Sequence, residues 1–137
     1  MLTAAAGHTA NRRENFLDLI NKIYTAEGRL NRLRYIKYMI LLAIMGAVGT
    51  FVTSSMATFL TGDPEGMLVK LVTAAWGIAA VTGNIMLMIR RIHDLGKSGY
   101  FALVALIPII GFIFSVYLFC APGQVGWNQY GEDPLDS

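Results

Sequence analysis

Three long apolar runs dominate the pattern of hydrophobic and polar positions along the 137-residue chain. They cover residues 35–60, 67–89 and 100–121, and short polar connectors separate them. The hydrocarbon core of a bilayer is about 30 Å thick, so a helix of roughly 20 residues crosses it. All three runs reach that length. The pattern therefore predicts an all-α integral membrane bundle of three transmembrane helices.

A shorter amphipathic segment precedes the first run. Its apolar residues recur at helical spacing on one side, and polar residues occupy the other; the apolar ones are Phe16, Leu19, Ile20, Ile23 and Tyr24. This spacing predicts a short helix in the membrane interface, with packing on the loops or on a partner as the alternative. The chain then divides into an N-terminal segment with this helix (1–27), a three-span membrane domain (28–121) and a C-terminal tail (122–137).

Composition supports the membrane class. Charged residues make up 15% of the chain and hydrophobic residues 55%, whereas an average soluble domain is about 25% charged. A soluble protein of this size needs more polar residues to cover its surface. The single cysteine excludes an intrachain disulfide, and the two distant histidines offer no zinc-ligand spacing, so we expect no cofactor.

Lysine and arginine alternate between the predicted membrane faces. Seven precede or begin the first run, none lies in the first connector, three lie in the second, and none lies in the tail. Because cytoplasmic loops carry the excess of these residues, the pattern predicts a cytoplasmic N-terminus and a periplasmic C-terminus. Pro108 and Gly111 leave open a re-entrant third run, which would return the tail to the cytoplasmic side.

The second connector, "RRIHDLGKSGY" at residues 90–100, carries the densest candidate chemistry. A phosphate-binding loop would need a glycine five residues before Gly96, and Arg91 stands there. A nucleotide site is therefore disfavoured. His93 and Asp94 remain candidate acid–base groups of an interfacial enzyme, but a polar turn between helices is the favoured interpretation.

Polar residues of both loops are predicted to share one membrane face. They form a candidate structural or lipid-headgroup cluster of Arg29, Arg32, Arg90, Arg91, His93, Asp94 and Lys97. Basic residues near a membrane surface attract anionic headgroups. No Asp or Glu lies within a predicted span, which argues against an ion-coupled transporter.

Three segments carry a family resemblance: "GRLNRLRYIKYMI" from Gly28, "RRIHDLGKSGY" from Arg90 and "PGQVGWNQYGEDP" from Pro122. Together they resemble the domain-of-unknown-function 805 family of small bacterial inner-membrane proteins, with Ile36 and Tyr100 replacing the usual tryptophans. The matched tail positions are Pro122, Gly123, Asn128, Tyr130 and Gly131. The resemblance implies no assigned biochemical role. It favours a shared lock of arginine–aspartate pairs that involves Arg29, Arg32, His93 and Asp94.

Three functional hypotheses remain. The leading one is a non-enzymatic accessory or interaction subunit of an inner-membrane complex. The second is a homo-oligomeric channel or transporter for a small solute, with Thr82 and Asn84 as its polar line. The third is an interfacial enzyme that uses His93 and Asp94. Expected partners are membrane lipids and other membrane subunits, without nucleic acid.

Overall fold

The computed structural model describes residues 17–135, and its regular elements are helices. Helix α1 occupies residues 17–23, α2 Arg32–Thr61 and α3 Met67–Asp94. A 3₁₀-helix, η1, follows at Gly99–Leu106, and α4 covers Pro108–Cys120. No strand occurs in this part of the chain beyond an isolated bridge between Asn128 and Gly131. The all-α prediction is confirmed, while the expectation for Phe16 lies outside the described residues.

Helices α2 and α3 form an antiparallel hairpin. Asn31 caps α2 by accepting a 2.8 Å hydrogen bond from the Arg34 backbone N–H. Gly62 ends the helix with a φ of 71°, a left-handed conformation that glycine adopts without strain. With 30 and 28 residues, the two helices are about 45 and 42 Å long. Both are long and apolar enough to cross a membrane.

The third apolar run is divided instead of forming one helix. Ile107 is extended, and Pro108 begins α4, because proline disfavours helical backbone at the residue before it. A Cβ on Gly111 would lie 2.5 Å from the Ala105 carbonyl oxygen, so the two halves pack closely only with glycine there. At about 16 Å for η1 and about 20 Å for α4, neither half spans a bilayer core. The expected count of three spanning helices is therefore not confirmed.

The tail returns to the end of the bundle at which α2 begins and α3 ends. Arg91 donates to the Ala121 carbonyl, and the Gln124 N–H donates to the Asp94 carbonyl at 2.8 Å. Both ends of the η1–α4 hairpin thus lie at one end of the molecule, as in the re-entrant alternative. Pro108 turns the chain back at this point, and the membrane side of each terminus stays a prediction.

The buried core also lies at this end. Its members come from α1, the following loop, α2, α3 and α4, and they are Ile23, Leu30, Tyr35, Leu42, Leu87, Ile92 and Leu118. Helix α1 packs against the helix pair, since the Tyr24 hydroxyl also donates to the Ala79 carbonyl at 3.0 Å. The packing alternative for α1 named the loops or a partner, whereas this contact is with α3. Elsewhere α2 and α3 expose large apolar side chains such as Phe51 and Ile78, as lipid-facing helices do.

The fold predicts where engineered cysteines react. Cys120 is exposed, so it is first replaced by alanine. Glu27→Cys and Val125→Cys should then react with an impermeant maleimide from one side of sealed membranes. Glu65→Cys, in the α2–α3 connector, should react from the other side only. Permeabilised membranes provide the control, in which all three react. Labelling of residues 65 and 125 from the same side would contradict the re-entrant fold.

Candidate functional site

A buried carboxylate lies between two buried guanidinium groups at the polar end of the bundle. Asp94 is 1% exposed and Arg91 is 0% exposed. One Asp94 oxygen, Oδ1, lies 3.2 Å from both Nε and Nη2 of Arg29. The other, Oδ2, accepts a hydrogen bond from Arg91 Nη1. We call these three residues the Arg–Asp–Arg lock.

Local structure explains how the three side chains meet. Arg91 and Asp94 are three residues apart in the last turn of α3, and this spacing places both on one helix face. Arg29 arrives from the loop before α2, which Gly28 turns with a φ of 80°. The Leu30 N–H donates to the Arg90 carbonyl at 3.2 Å and fixes that loop on α3.

Arg29 connects the lock to the tail. Its Nη1 donates to the carbonyls of Gly126 and, at 3.4 Å, of Gly131, while Nη2 donates to the Gln124 carbonyl. A guanidinium presents five N–H donors in a fixed fork. Arg29 therefore binds Asp94 with one edge and orders three tail carbonyls with the other.

Arg91 connects the lock to α4 and to the loop before α2. Its Nε donates to the Leu118 carbonyl at 2.9 Å, and Nη2 donates to the Ala121 carbonyl. Nη1 also lies 3.4 Å from the Leu30 carbonyl. Carbonyls at the C-terminal end of α4, which have no partner within the helix, thereby bond to a buried cation that also complements the helix dipole.

The tail adds its own contacts to α3. Asn128 Nδ2 donates to the His93 carbonyl at 2.9 Å. The rings of His93 and Tyr130 stack with centroids 3.8 Å apart and planes 5° apart. A Cβ on Gly123 would lie 2.3 Å from an Asp94 carboxylate oxygen. Glycine at this position lets the tail pass directly over the lock.

Asp133 folds the tail on itself. Its carboxylate accepts the Leu135 N–H at 3.0 Å and the Gly126 N–H at 2.9 Å. These two backbone hydrogen bonds hold the pKa of Asp133 below its usual value, because they favour the ionised carboxylate. Sequence reasoning missed this residue, since its partners are backbone groups that carry no side-chain signature.

The remaining candidates of the predicted cluster lie outside the lock. Arg32 is exposed and donates to the Cys120 carbonyl at 3.4 Å. Arg90 donates to the Lys22 carbonyl. The Lys97 ammonium lies 5.6 Å from the centre of the Phe101 ring. The structure thus pairs Arg29 with Asp94. Arg32 does not pair with Asp94, and Arg91 binds the second carboxylate oxygen of Asp94 instead. Pro122 begins the tail beside Gly123.

This arrangement is suited to fixing the positions of the joined segments. Both Asp94 oxygens are engaged by cations, and the carboxylate is covered by the tail. One face of the His93 ring is covered by Tyr130. Within residues 17–135, no group of three His, Cys, Asp or Glu side chains could hold a metal ion. Thr82 and Asn84 donate to carbonyls of their own helix at 2.8 and 3.0 Å.

Sequence similarity to known proteins shows which family the chain belongs to. The family profile described as "Protein of unknown function (DUF805)" matches residues 23–132. The chain belongs to the DUF805 family. This DUF805 chain is 28% identical to inner membrane protein YhaI of Escherichia coli strain K12 over 119 residues, which cover 87% of this chain and 93% of YhaI. It is 29% identical over 122 residues to inner membrane protein YhaH of the same strain, with 87% and 94% covered.

No solved structure matches the DUF805 chain with significant similarity. The family expectation from the three sequence motifs is confirmed. Together with two exposed helices of spanning length, the inner membrane relatives identify this chain as a small inner membrane protein.

Removing the lock's negative charge should destabilise the protein. Asp94→Asn keeps the side-chain shape but leaves two buried guanidinium groups without their counter-ion, and loss of one partner of a buried pair costs about 3–5 kcal/mol. Unfolding in mild detergent measures the free energy, and limited proteolysis measures release of the tail. The matched control is Asp18→Asn, which removes an exposed carboxylate paired with Lys22 at 2.5 Å. It should change stability by less than about 1 kcal/mol. Equal effects of the two substitutions would contradict a structural role for the lock.

Acid should loosen the tail through Asp133. Because its pKa is lower in the folded state, the stabilisation is complete above the unfolded value of about 3.9 and is lost as the pH falls through the folded value. Trp127 fluorescence, measured in a Trp76→Phe background from about pH 5 to about pH 2, should report a transition. Asp133→Asn should remove that component. An identical profile for both proteins would show that Asp133 does not order the tail.

Proposed function

We propose that this DUF805 protein is a non-catalytic accessory subunit that binds another inner membrane protein through its tail. The observation that carries this proposal is the exposure of apolar side chains on a tail held in one conformation. Val125 is 90% exposed and Trp127 is 74% exposed. Leu135 is exposed as well.

Exposed apolar side chains that form one patch mark interaction sites, and Val125, Trp127 and Leu135 are all exposed on this short tail. Arg29 holds the carbonyls of Gln124 and Gly126 on either side of Val125. The tail therefore loses little conformational freedom when a partner binds, which lowers the entropic cost of binding. Tryptophan is also enriched among the residues that dominate binding energy at protein interfaces.

The distribution of charge supports a cytoplasmic position for this surface. Among the described residues, the lock end of the bundle carries Lys22, Arg29, Arg32, Arg34, Lys37, Arg90, Arg91 and Lys97, whereas residues 62–66 carry no lysine or arginine. By the positive-inside rule, the lock end faces the cytoplasm. Since the tail contacts the lock, the tail faces the cytoplasm too, and its partner binds there, close to the membrane.

The two other functional hypotheses have less support. An interfacial enzyme would need Asp94 free to exchange a proton, yet both of its oxygens bind guanidinium groups. A channel would need Thr82 and Asn84 to line a water path, yet both side chains bond to carbonyls of α3.

Intact-mass measurement after mild detergent extraction from native membranes tests the proposal. The wild-type protein should be found with a second, different protein in fixed stoichiometry, and Trp127→Ala should lose that partner. Phe59→Ala is the matched control, because Phe59 is an exposed aromatic residue on α2, away from the tail. It should retain the partner. A monomer, or a particle that contains only copies of this chain, would overturn the accessory-subunit proposal.

A further inference from the structure

We propose that the cleft between α3 and η1 binds one phospholipid with an anionic headgroup. The acyl chain would lie along the apolar walls of the cleft and the phosphate at its polar end. This inference does not depend on the tail binding a protein partner. It concerns a different surface, on the side of α3 that η1 covers.

The cleft offers the volume and the apolar walls that an acyl chain requires. Its volume is about 520 Å³, and its walls are formed chiefly by Ile85, Ile89, Ala102 and Leu103. Ile85 lies nine residues before the end of α3, which is about 14 Å below the polar end. The cleft therefore extends from the polar end of the bundle into the depth of the hydrocarbon core.

The upper end of the cleft is polar. His93, Ser98 and Tyr130 line it there. Ser98 is exposed at the start of η1, and Lys97 precedes it with an exposed ammonium beside Phe101. An acyl chain between the apolar walls would place its headgroup next to these residues.

The charge around the cleft favours an anion. None of the lining residues is acidic. The nearest carboxylate along α3, that of Asp94, is buried and paired with two arginines. Lys97 directly precedes the lining residue Ser98, and none of the ion pairs among residues 17–135 involves Lys97. A cation near an anionic membrane surface contributes a modest attraction, which corresponds to about a fivefold preference.

A lipid fits the cleft better than water or a peptide segment does. The walls are apolar, so water filling the cleft would leave its hydrogen bonds unmade. A peptide segment at this depth would need backbone partners, and the four wall residues offer apolar side chains only. An acyl chain needs no such partners.

Native mass spectrometry in mild detergent tests this site with two probes, dioleoyl phosphatidylglycerol and dioleoyl phosphatidylcholine. The wild-type protein should retain one phosphatidylglycerol and prefer it to phosphatidylcholine. Leu103→Trp places an indole in the cleft and should abolish retention. Leu106→Trp is the matched control, because Leu106 is an exposed leucine of η1 that does not line the cleft. It should leave retention unchanged.

Charge substitutions separate the headgroup contribution from the acyl contribution. Lys97→Gln should lower the preference for phosphatidylglycerol about fivefold. Lys70→Gln, near the opposite end of α3, should leave the preference unchanged. Equal retention of the two lipids by the wild-type protein would overturn the anionic specificity, and equal retention by Leu103→Trp and wild type would overturn the site.

A crosslinking measurement on the wild-type protein guards against misfolding of the Leu103→Trp variant. Phosphatidylglycerol with a diazirine in its acyl chain should attach to peptides that contain Ile85, Ile89 or Leu103. Attachment spread evenly over the exposed faces of α2 and α3 would overturn the proposal, as would a protein segment crosslinked in the cleft.

Discussion

The carboxylate of Asp94, held between two buried guanidinium groups, is the interaction on which the polar end of this protein depends. It joins the loop before α2, the end of α3, the end of α4 and the tail. Buried ion pairs contribute little net stability, because desolvating the charges offsets their attraction. Buried ion pairs contribute instead to geometric specificity, because the planar guanidinium group donates its hydrogen bonds in few orientations. The lock therefore determines which segments meet, while the apolar core around Leu87 and Leu118 supplies the stabilising burial.

This division gives the molecule two distinct halves. At the lock end, α1, the α2–α3 pair and the η1–α4 hairpin share one core, and the tail is joined to them by hydrogen bonds from Arg29 and to Asp94. At the other end only α2 and α3 continue, and their apolar side chains are exposed. Both proposed binding surfaces, the tail and the lipid cleft, lie at the lock end. They also meet physically, because Tyr130 of the tail stacks on His93 and lines the lipid cleft. A lipid in the cleft would therefore lie against the stacked rings of His93 and Tyr130, and Tyr130 belongs to the tail.

The two long apolar helices were predictable from the sequence, because their apolar runs are long and a helix satisfies its backbone hydrogen bonds within its own segment. The third run has the same composition. Its division depends on Pro108 and on the contact of Gly111 with Ala105, which composition does not reveal. The pairing of Arg29 with Asp94 was anticipated from matched motifs. The burial of Arg91 could not be anticipated in this way. Most of its partners are backbone carbonyls, which every residue type carries.

The position of the tail in the chain has a consequence for biogenesis. The ribosome synthesises α2 and α3 before residues 118–131, so Arg29 and Arg91 are made before most of their carbonyl partners. Synthesis of the helix pair and closure of the polar end are therefore separate events in time. During the interval between them, the two arginines can only be solvated by water and headgroups at the interface, and the nascent protein remains open at the end where its folding finishes.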